Sequence, residues 1–187
     1  MLFQESALFD SLTVAENVGY RLTEETDMPA DTVRARVAEV LGFIGLGDYI
    51  DRMPSELSGG QRRRVAIGRA MASKPKLLLF DDPTSGLDPI TARTVTDEII
   101  KLRDLEGVTP IVVTHQLPDA LYIARHEAVM VEGVPAIRPA SAEKAGETEF
   151  IVLRDGVVYF DGPLDRLTAS HDPYLASFLA GWVPPLV

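Results

Sequence analysis

Three short stretches of this sequence carry residue types that could do chemistry together. Leu57-Ser58-Gly59-Gly60-Gln61 precedes an arginine-rich helical pattern, Asp81-Asp82 closes the apolar run that starts at Lys76, and Thr114-His115 closes a second run from Pro110. Two glycines let a backbone approach an anion closely, Ser58 adds a hydroxyl, and a new helix presents unpaired N–H groups at the positive end of its dipole. That is a phosphate cradle, although an ordinary serine N-cap followed by flexible glycines reads the same way. Paired carboxylates leaving a buried strand need hydrogen bonds or a cation, and a hard ion such as Mg²⁺ suits them. Asp82 also has a simpler reading, as an aspartate before Pro83 that caps the following turn.

The elements that must position these residues follow from hydrophobic periodicity. Asp31 can cap a helix whose apolar positions are Val33, Val37, Val40, Leu41 and Ile44, ending near Gly45. A second helix opens at Ser58, runs through Val65, Ala66 and Met71 and stops before Pro75, with Arg62, Arg63, Arg64 and Arg69 around a mostly solvated side. Residues 76–81 and 110–114 are continuous apolar runs, the pattern of strands buried on both faces. Between them Asp88-Pro89 reads as N-cap and N1 of a helix carrying Val95, Ile99 and Leu102 and ended by Gly107.

A helix over 117–124 and a third strand over 127–132 complete a β-α-β-α-β order, which predicts a parallel sheet with helices on both faces. Residues 133–149, with Pro135 and Pro139, read as a loop, and 150–160 as a hairpin turning at Asp155-Gly156. Two short helices, from about Leu164 and about Pro173, follow. Ligands of an open parallel sheet bind beyond the carboxyl ends of its strands. Asp81, Asp82 and His115 are therefore expected at one edge, while His126 and His171 read as structural.

Composition bounds the function classes. The chain has 187 residues, 46% hydrophobic and 25% charged, which is the profile of a folded domain. Its 28 acidic residues exceed its 18 basic ones, and a net charge of −10 argues against nucleic acid as a partner. With Cys 0, disulfides, thiolate metal sites and cysteine nucleophiles are excluded. Glu5 and Asp10 precede the first basic residue, Arg21, so no export signal is expected. The apolar runs 77–80 and 128–131 are far shorter than the roughly 20 residues of a membrane span. Any service to a membrane is expected from its side.

In order and spacing, LSGGQ at 57–61, LLLFDD at 77–82, PTSGLD at 83–88 and the strand ending in Thr114-His115 resemble the ATP-binding-cassette (ABC) transporter ATPases. The resemblance covers nearly the whole chain from Gln4 onward. It implies a P-loop NTPase-like α/β fold with an α-helical subdomain over about 5–57, a core over 58–132, a loop insertion over 133–149 and a C-terminal hairpin with helices over 150–187. It implies ATP and Mg²⁺ as cofactors. Leu57, Ser58, Gly59, Gly60 and Gln61 become the signature motif, which clamps the γ-phosphate of nucleotide on a second copy of the chain in a head-to-tail dimer. Asp81 becomes the Mg²⁺-holding acid of the strand, and Asp82 the general base that positions the attacking water. The family usually has glutamate there, one methylene longer. His115 would contact the γ-phosphate, Gln4 would sense Mg²⁺ and water, and Asp88 would cross the dimer interface.

One family element is not found in these residues: no G-x-x-x-x-G-K-[ST] occurs, and the resemblance places that loop upstream of Gln4. The expectation is a reading frame entered at an internal Met, because Met1-Leu-Phe-Gln continues the family pattern, with a truncated protein as the alternative. Phe3–Phe9 (FQESALF), Asn17–Leu22 (NVGYRL), Asp88–Thr91 (DPIT) and the segment 172–181 look most like the ATPases of phospholipid-trafficking importers that work with mammalian-cell-entry (MCE) proteins. The resemblance thus implies a subunit on the cytoplasmic face of a membrane, docked on a permease near Gln4. The competing expectation is a remnant that dimerises or docks but does not hydrolyse ATP.

Overall fold

A computed structural model describes residues 7–180, in two compact units divided between His115 and Gln116. In the first, Thr13 and Glu16 open α1 (Val14–Glu25) with a reciprocal capping box: the Thr13 amide donates to Glu16 Oε2 at 2.7 Å and the Glu16 amide to Thr13 Oγ1 at 3.2 Å. Helix α2 (Ala30–Phe43) follows; Pro29 takes the N-cap position, so Asp31 lies inside the first turn instead of capping it. Helix α3 (Gly59–Met71) packs on both, burying Val14, Val18, Val37, Val40, Leu41, Ile44, Val65 and Ile67. Asn17 is fully buried, and its carboxamide bonds both the amide (2.9 Å) and the carbonyl (3.0 Å) of Phe9, which ties the preceding chain to α1.

Strand β1 (Leu77–Asp81), helix α4 (Pro89–Leu105) and strand β2 (Thr109–Val113) form a parallel β-α-β unit in which Leu79 pairs with Ile111 and Asp81 with Val113. Val95, Ile99, Ile100 and Leu102 of α4 are buried, the face the periodicity predicts. The strands differ from expectation. Leu78 and Phe80 are buried, but Leu77, Ile111 and Val113 are 53%, 46% and 54% exposed, so the pair is covered on one face and open on the other. A continuous apolar run does not distinguish these cases, because it supplies apolar side chains to both faces whether or not both are covered.

The second unit corrects the sheet. Strand β3 (His126–Val131) does not extend the parallel pair; it forms an antiparallel hairpin with β4 (Val134–Pro139). The cause is local: Glu132 and Gly133 both have positive φ, 50° and 82°, and reverse the chain at once. Residues 133–149 are accordingly not a loop, since they hold β4 and a helical turn α6 (Ala142–Gly146) capped by Ser141 Oγ, which accepts from the Lys144 amide at 3.1 Å. Pro135 and Pro139 are tolerated because β4 lies at the edge of a two-stranded sheet and needs no donor on its outer side. Strands β5 (Glu149–Arg154) and β6 (Val157–Pro163) pair about Asp155 and Gly156, φ 51° and 79°, as a primed turn requires. Helix α5 (Leu117–Arg125), α7 (Leu164–Thr168) and α8 (Pro173–Ala180) close the unit around Leu117, Leu121, Ala124 and Leu164. His126 is structural, with Nδ1 2.9 Å from the Tyr122 carbonyl oxygen.

Candidate functional site

The candidate residues with described positions all lie in the first unit, in two groups. Gln4 falls outside the described residues.

The first group sits where β1 and β2 end. The Asp82 amide donates to the Val113 carbonyl at 2.8 Å, which carries the parallel pairing one residue past β1. Asp82 then turns into the left-handed region, φ 45°, a conformation aspartate tolerates better than most side chains. This turn brings Oδ2 to 3.0 Å from His115 Nδ1 and Oδ1 to 3.3 Å from the Thr114 hydroxyl, which donates to it. Asp82 is buried while the His115 side chain is 67% exposed, so a rigid carboxylate orients an accessible imidazole. Asp81, half-buried, ends the strand beside it. Among the described residues no three or more His, Asp or Glu side chains gather as a metal cluster. The chain thus offers a cation one or two carboxylates, a donor set that fits Mg²⁺ when phosphate oxygens and waters supply the rest of its shell.

Beneath this group lies a residue the periodicity misplaces. Arg63 is not on a solvated face: it is 3% exposed and its Nη2 donates to the Asp82 carbonyl at 3.4 Å. Burial pulls its guanidinium below the usual arginine range, and the charges of Asp82 and Asp81 oppose that shift. Arg64 is also drawn inward, donating from Nη1 to the Ile44 carbonyl at 2.9 Å at the end of α2, while Arg62 stays exposed and donates to the Leu57 carbonyl at 2.7 Å. Long side chains on a packed helix can bury their stems and still find backbone acceptors.

The second group is the start of α3 with the start of α4. Ser58 is the N-cap of α3: its Oγ accepts the Gln61 amide at 3.2 Å, and the Gln61 side chain accepts the Ser58 amide at 2.8 Å. The cap and cradle readings therefore coexist, because this box uses the amides of residues 58 and 61. The first-turn amides of Gly59 and Gly60 have no partner within the helix by position. Leu57, 5% exposed, anchors the turn.

Asp88 caps α4, with Oδ1 accepting the amides of Ile90 and Thr91, each at 3.1 Å, and Oδ2 the Thr91 hydroxyl at 2.6 Å. The Thr91 hydroxyl, then its amide, hold the Asp88 carboxyl below the ordinary aspartate range. Both oxygens thus serve the residue's own helix. Between the groups, residues 83–87 make tight turns: Ser85 donates to the Asp82 carbonyl at 3.3 Å and Leu87 to that of Thr84 at 3.2 Å.

Sequence reasoning did not find Arg63 or Thr91. Thr91 had a signal, a hydroxyl three residues after an Asp N-cap, whereas the burial of Arg63 had none.

A parallel strand pair thus ends in an Asp–His contact, and a serine-capped glycine turn opens α3. The family model described as "ABC transporter" matches residues 1–85. The chain also superposes on the dimeric ATP-binding cassette MJ0796 in a post-hydrolysis state bound to ADP and Pi, with a TM-score of 0.65 and 32% identity over 87% of this chain and 61% of that one. Over the matched residues the chain is similar to ABC transporter ATP-binding domains.

Among its curated relatives is the intermembrane phospholipid transport system ATP-binding protein MlaF of Escherichia coli (strain K12), 43% identical over 97% of this chain and 59% of that protein. The methionine import ATP-binding protein MetN of Myxococcus xanthus (strain DK1622) is 43% identical over 71% of this chain and 40% of that protein. The chain thus spans 59% or less of the length of these relatives. Among the described residues no helix is long and apolar enough to cross a membrane.

Proposed function

We propose that the full-length gene product carrying this chain hydrolyses ATP as a dimer to power phospholipid transport, working with a membrane permease and an MCE-type protein from the cytoplasmic face of the membrane. The observation that carries the enzymatic part is the 3.0 Å contact between Asp82 and His115 at the ends of two parallel strands. The substrate class is supported by 43% identity to a protein named for intermembrane phospholipid transport.

In this reading Asp82 accepts a proton from, or orients, the attacking water, and through Oδ2 it holds His115 so that the ring's other nitrogen is offered to a phosphate oxygen. Asp81 would supply a carboxylate to hold Mg²⁺, and the ion would neutralise phosphate charge there. Ser58 and the Gly59 and Gly60 amides bind the phosphate of nucleotide on a second copy, with Leu57 and Gln61 holding that turn. Asp88, its carboxylate engaged at home, shapes the loop that meets the partner, and Gln4 contributes to the Mg²⁺ and water site.

Asp82→Asn in the full-length protein tests the base: asparagine keeps the tolerance for positive φ and removes the basic oxygen. Steady-state turnover is expected to fall on the order of 10²–10⁴-fold; unchanged turnover would refute the assignment.

A second reading concerns the 187 residues alone, which contain no G-x-x-x-x-G-K-[ST]. As an isolated chain they are a docking and dimerisation module that binds nucleotide feebly. Titrating them with Mg-ATP decides this, and micromolar affinity contradicts it.

A further inference from the structure

Thr91 ends the DPIT segment and has no role assigned above, yet it touches both the Asp88 cap and the glycine turn of α3. Its hydroxyl donates to Asp88 Oδ2 at 2.6 Å and its amide to Oδ1 at 3.1 Å. Its methyl group faces the backbone of Gly60: a Cβ added to Gly60 would lie 2.1 Å from Thr91 Cγ2, with Thr91 Cβ and Oγ1 at 3.5 and 3.7 Å. A Cβ on Gly59 would meet Leu87 Cδ2 at 3.7 Å, an ordinary contact. The close approach is therefore specific to residue 60. Because threonine is branched at Cβ, one χ1 rotamer sets hydroxyl and methyl together. The rotamer that completes the Asp88 cap is the one that presses the methyl on Gly60.

We propose that Thr91 is a positioning residue that fixes the first turn of α3, with Ser58 and Gly60, against the Asp88 cap of α4, and that glycine is required at 60 by the Thr91 methyl group. The packing half of this stands on geometry alone, while the kinetic half rests on the ATPase reading. In that reading the serine-glycine turn and the loop ending at Asp88 both face nucleotide across a dimer, and Thr91 sets their spacing within one chain. A shift there of the order of 1 Å costs on the order of 10²-fold in rate.

The test compares Gly60→Ala, Thr91→Ser and the double substitution in the full-length protein. Serine keeps the hydroxyl on Asp88 and deletes Cγ2, leaving the added Cβ with neighbours at 3.5 and 3.7 Å, ordinary contact. In thermal unfolding without nucleotide, Gly60→Ala is expected to lower Tm by about 2–12 °C, and the double substitution to recover most of that loss relative to Thr91→Ser. No loss in Gly60→Ala, or no recovery in the double, overturns the packing claim.

In steady-state hydrolysis, Gly60→Ala is expected to lower kcat on the order of 10–100-fold, with the double regaining at least about tenfold of it at unchanged KM. Restored Tm with kcat still lost overturns the positioning claim and gives the glycine requirement to nucleotide instead. Absence of turnover in the unsubstituted protein would refute the ATPase reading, and the Tm comparison would still decide whether Thr91 fixes the turn.

Discussion

The Asp82 carboxylate and the His115 imidazole are 3.0 Å apart, one inside the protein and the other 67% exposed. The contact arises from backbone geometry. Parallel pairing carries past β1 through the Asp82 amide to the Val113 carbonyl, and the positive φ of Asp82 then swings its carboxylate toward the end of β2. Because the two groups act as a unit, their substitutions should not add. Asp82→Asn and His115→Ala are each expected to lower turnover on the order of 10²–10⁴-fold, and the double substitution to fall little below the worse single. A cycle of kcat values checks this; additive losses would mean the groups work independently.

Arg63 bridges α3 to the carbonyl of Asp82 from a buried position, 3% exposed. Arg63→Met keeps most of the volume and removes both the donor and the charge beside Asp81 and Asp82. It is expected to cost about 1–3 kcal/mol of stability, measured by urea unfolding, and to lower kcat with KM nearly unchanged. A variant as stable and active as the parent would show the contact to be incidental.

The cap on α4 has a pH signature. Hydrogen bonds from Thr91 and Ile90 depress the Asp88 carboxyl in the folded state below its unfolded value near 3.8. The stability it contributes is therefore fully present above that value and is lost as pH falls through the lower, folded value. Asp88→Ala should lower Tm at neutral pH, and the gap to the parent should close only below about pH 4. A gap that is independent of pH down to pH 2 would contradict a charged cap.

Glu98 predicts the opposite sign. It is 3% exposed on α4, with Oε1 2.9 Å from Lys101 Nζ and Oε2 buried without a hydrogen-bond partner among the described residues. Burial raises its carboxyl above the usual glutamate value, with Lys101 opposing. A raised value means stability present below the unfolded pKa near 4.5 and lost as pH rises through the folded one. Glu98→Gln is thus expected to raise Tm relative to the parent at pH 8, with the advantage vanishing near pH 4. Circular-dichroism melts across that range check it, and a constant difference would refute the burial argument.

Several features are properties of local sequence. Ser58 with Gln61 and Asp88 with Pro89 specify helix starts, because a cap needs only residues within one turn. The order of LSGGQ, the Asp81-Asp82 strand end and Thr114-His115 carries the family resemblance and nominates the catalytic candidates. The Asp155-Gly156 turn is legible for the same reason, since positive φ is demanded by the turn itself.

What tertiary structure decided is pairing and burial, which depend on residues far apart in the chain. One difference is local instead: the run 127–132 reads as a parallel strand, but the adjacent Glu132-Gly133 reversal makes it antiparallel to β4. The runs at β1 and β2 are apolar on both faces, yet only one face is covered. Four arginines along α3 look alike in sequence, and only the folded chain distinguishes Arg63, buried against the Asp82 carbonyl, from exposed Arg62. Likewise Gly60 reads as room for phosphate until Thr91, on the next helix, is seen filling the space where its Cβ would stand. Local hydrogen bonding can be read along the chain, but the neighbour that excludes a side chain is set only once the helices pack.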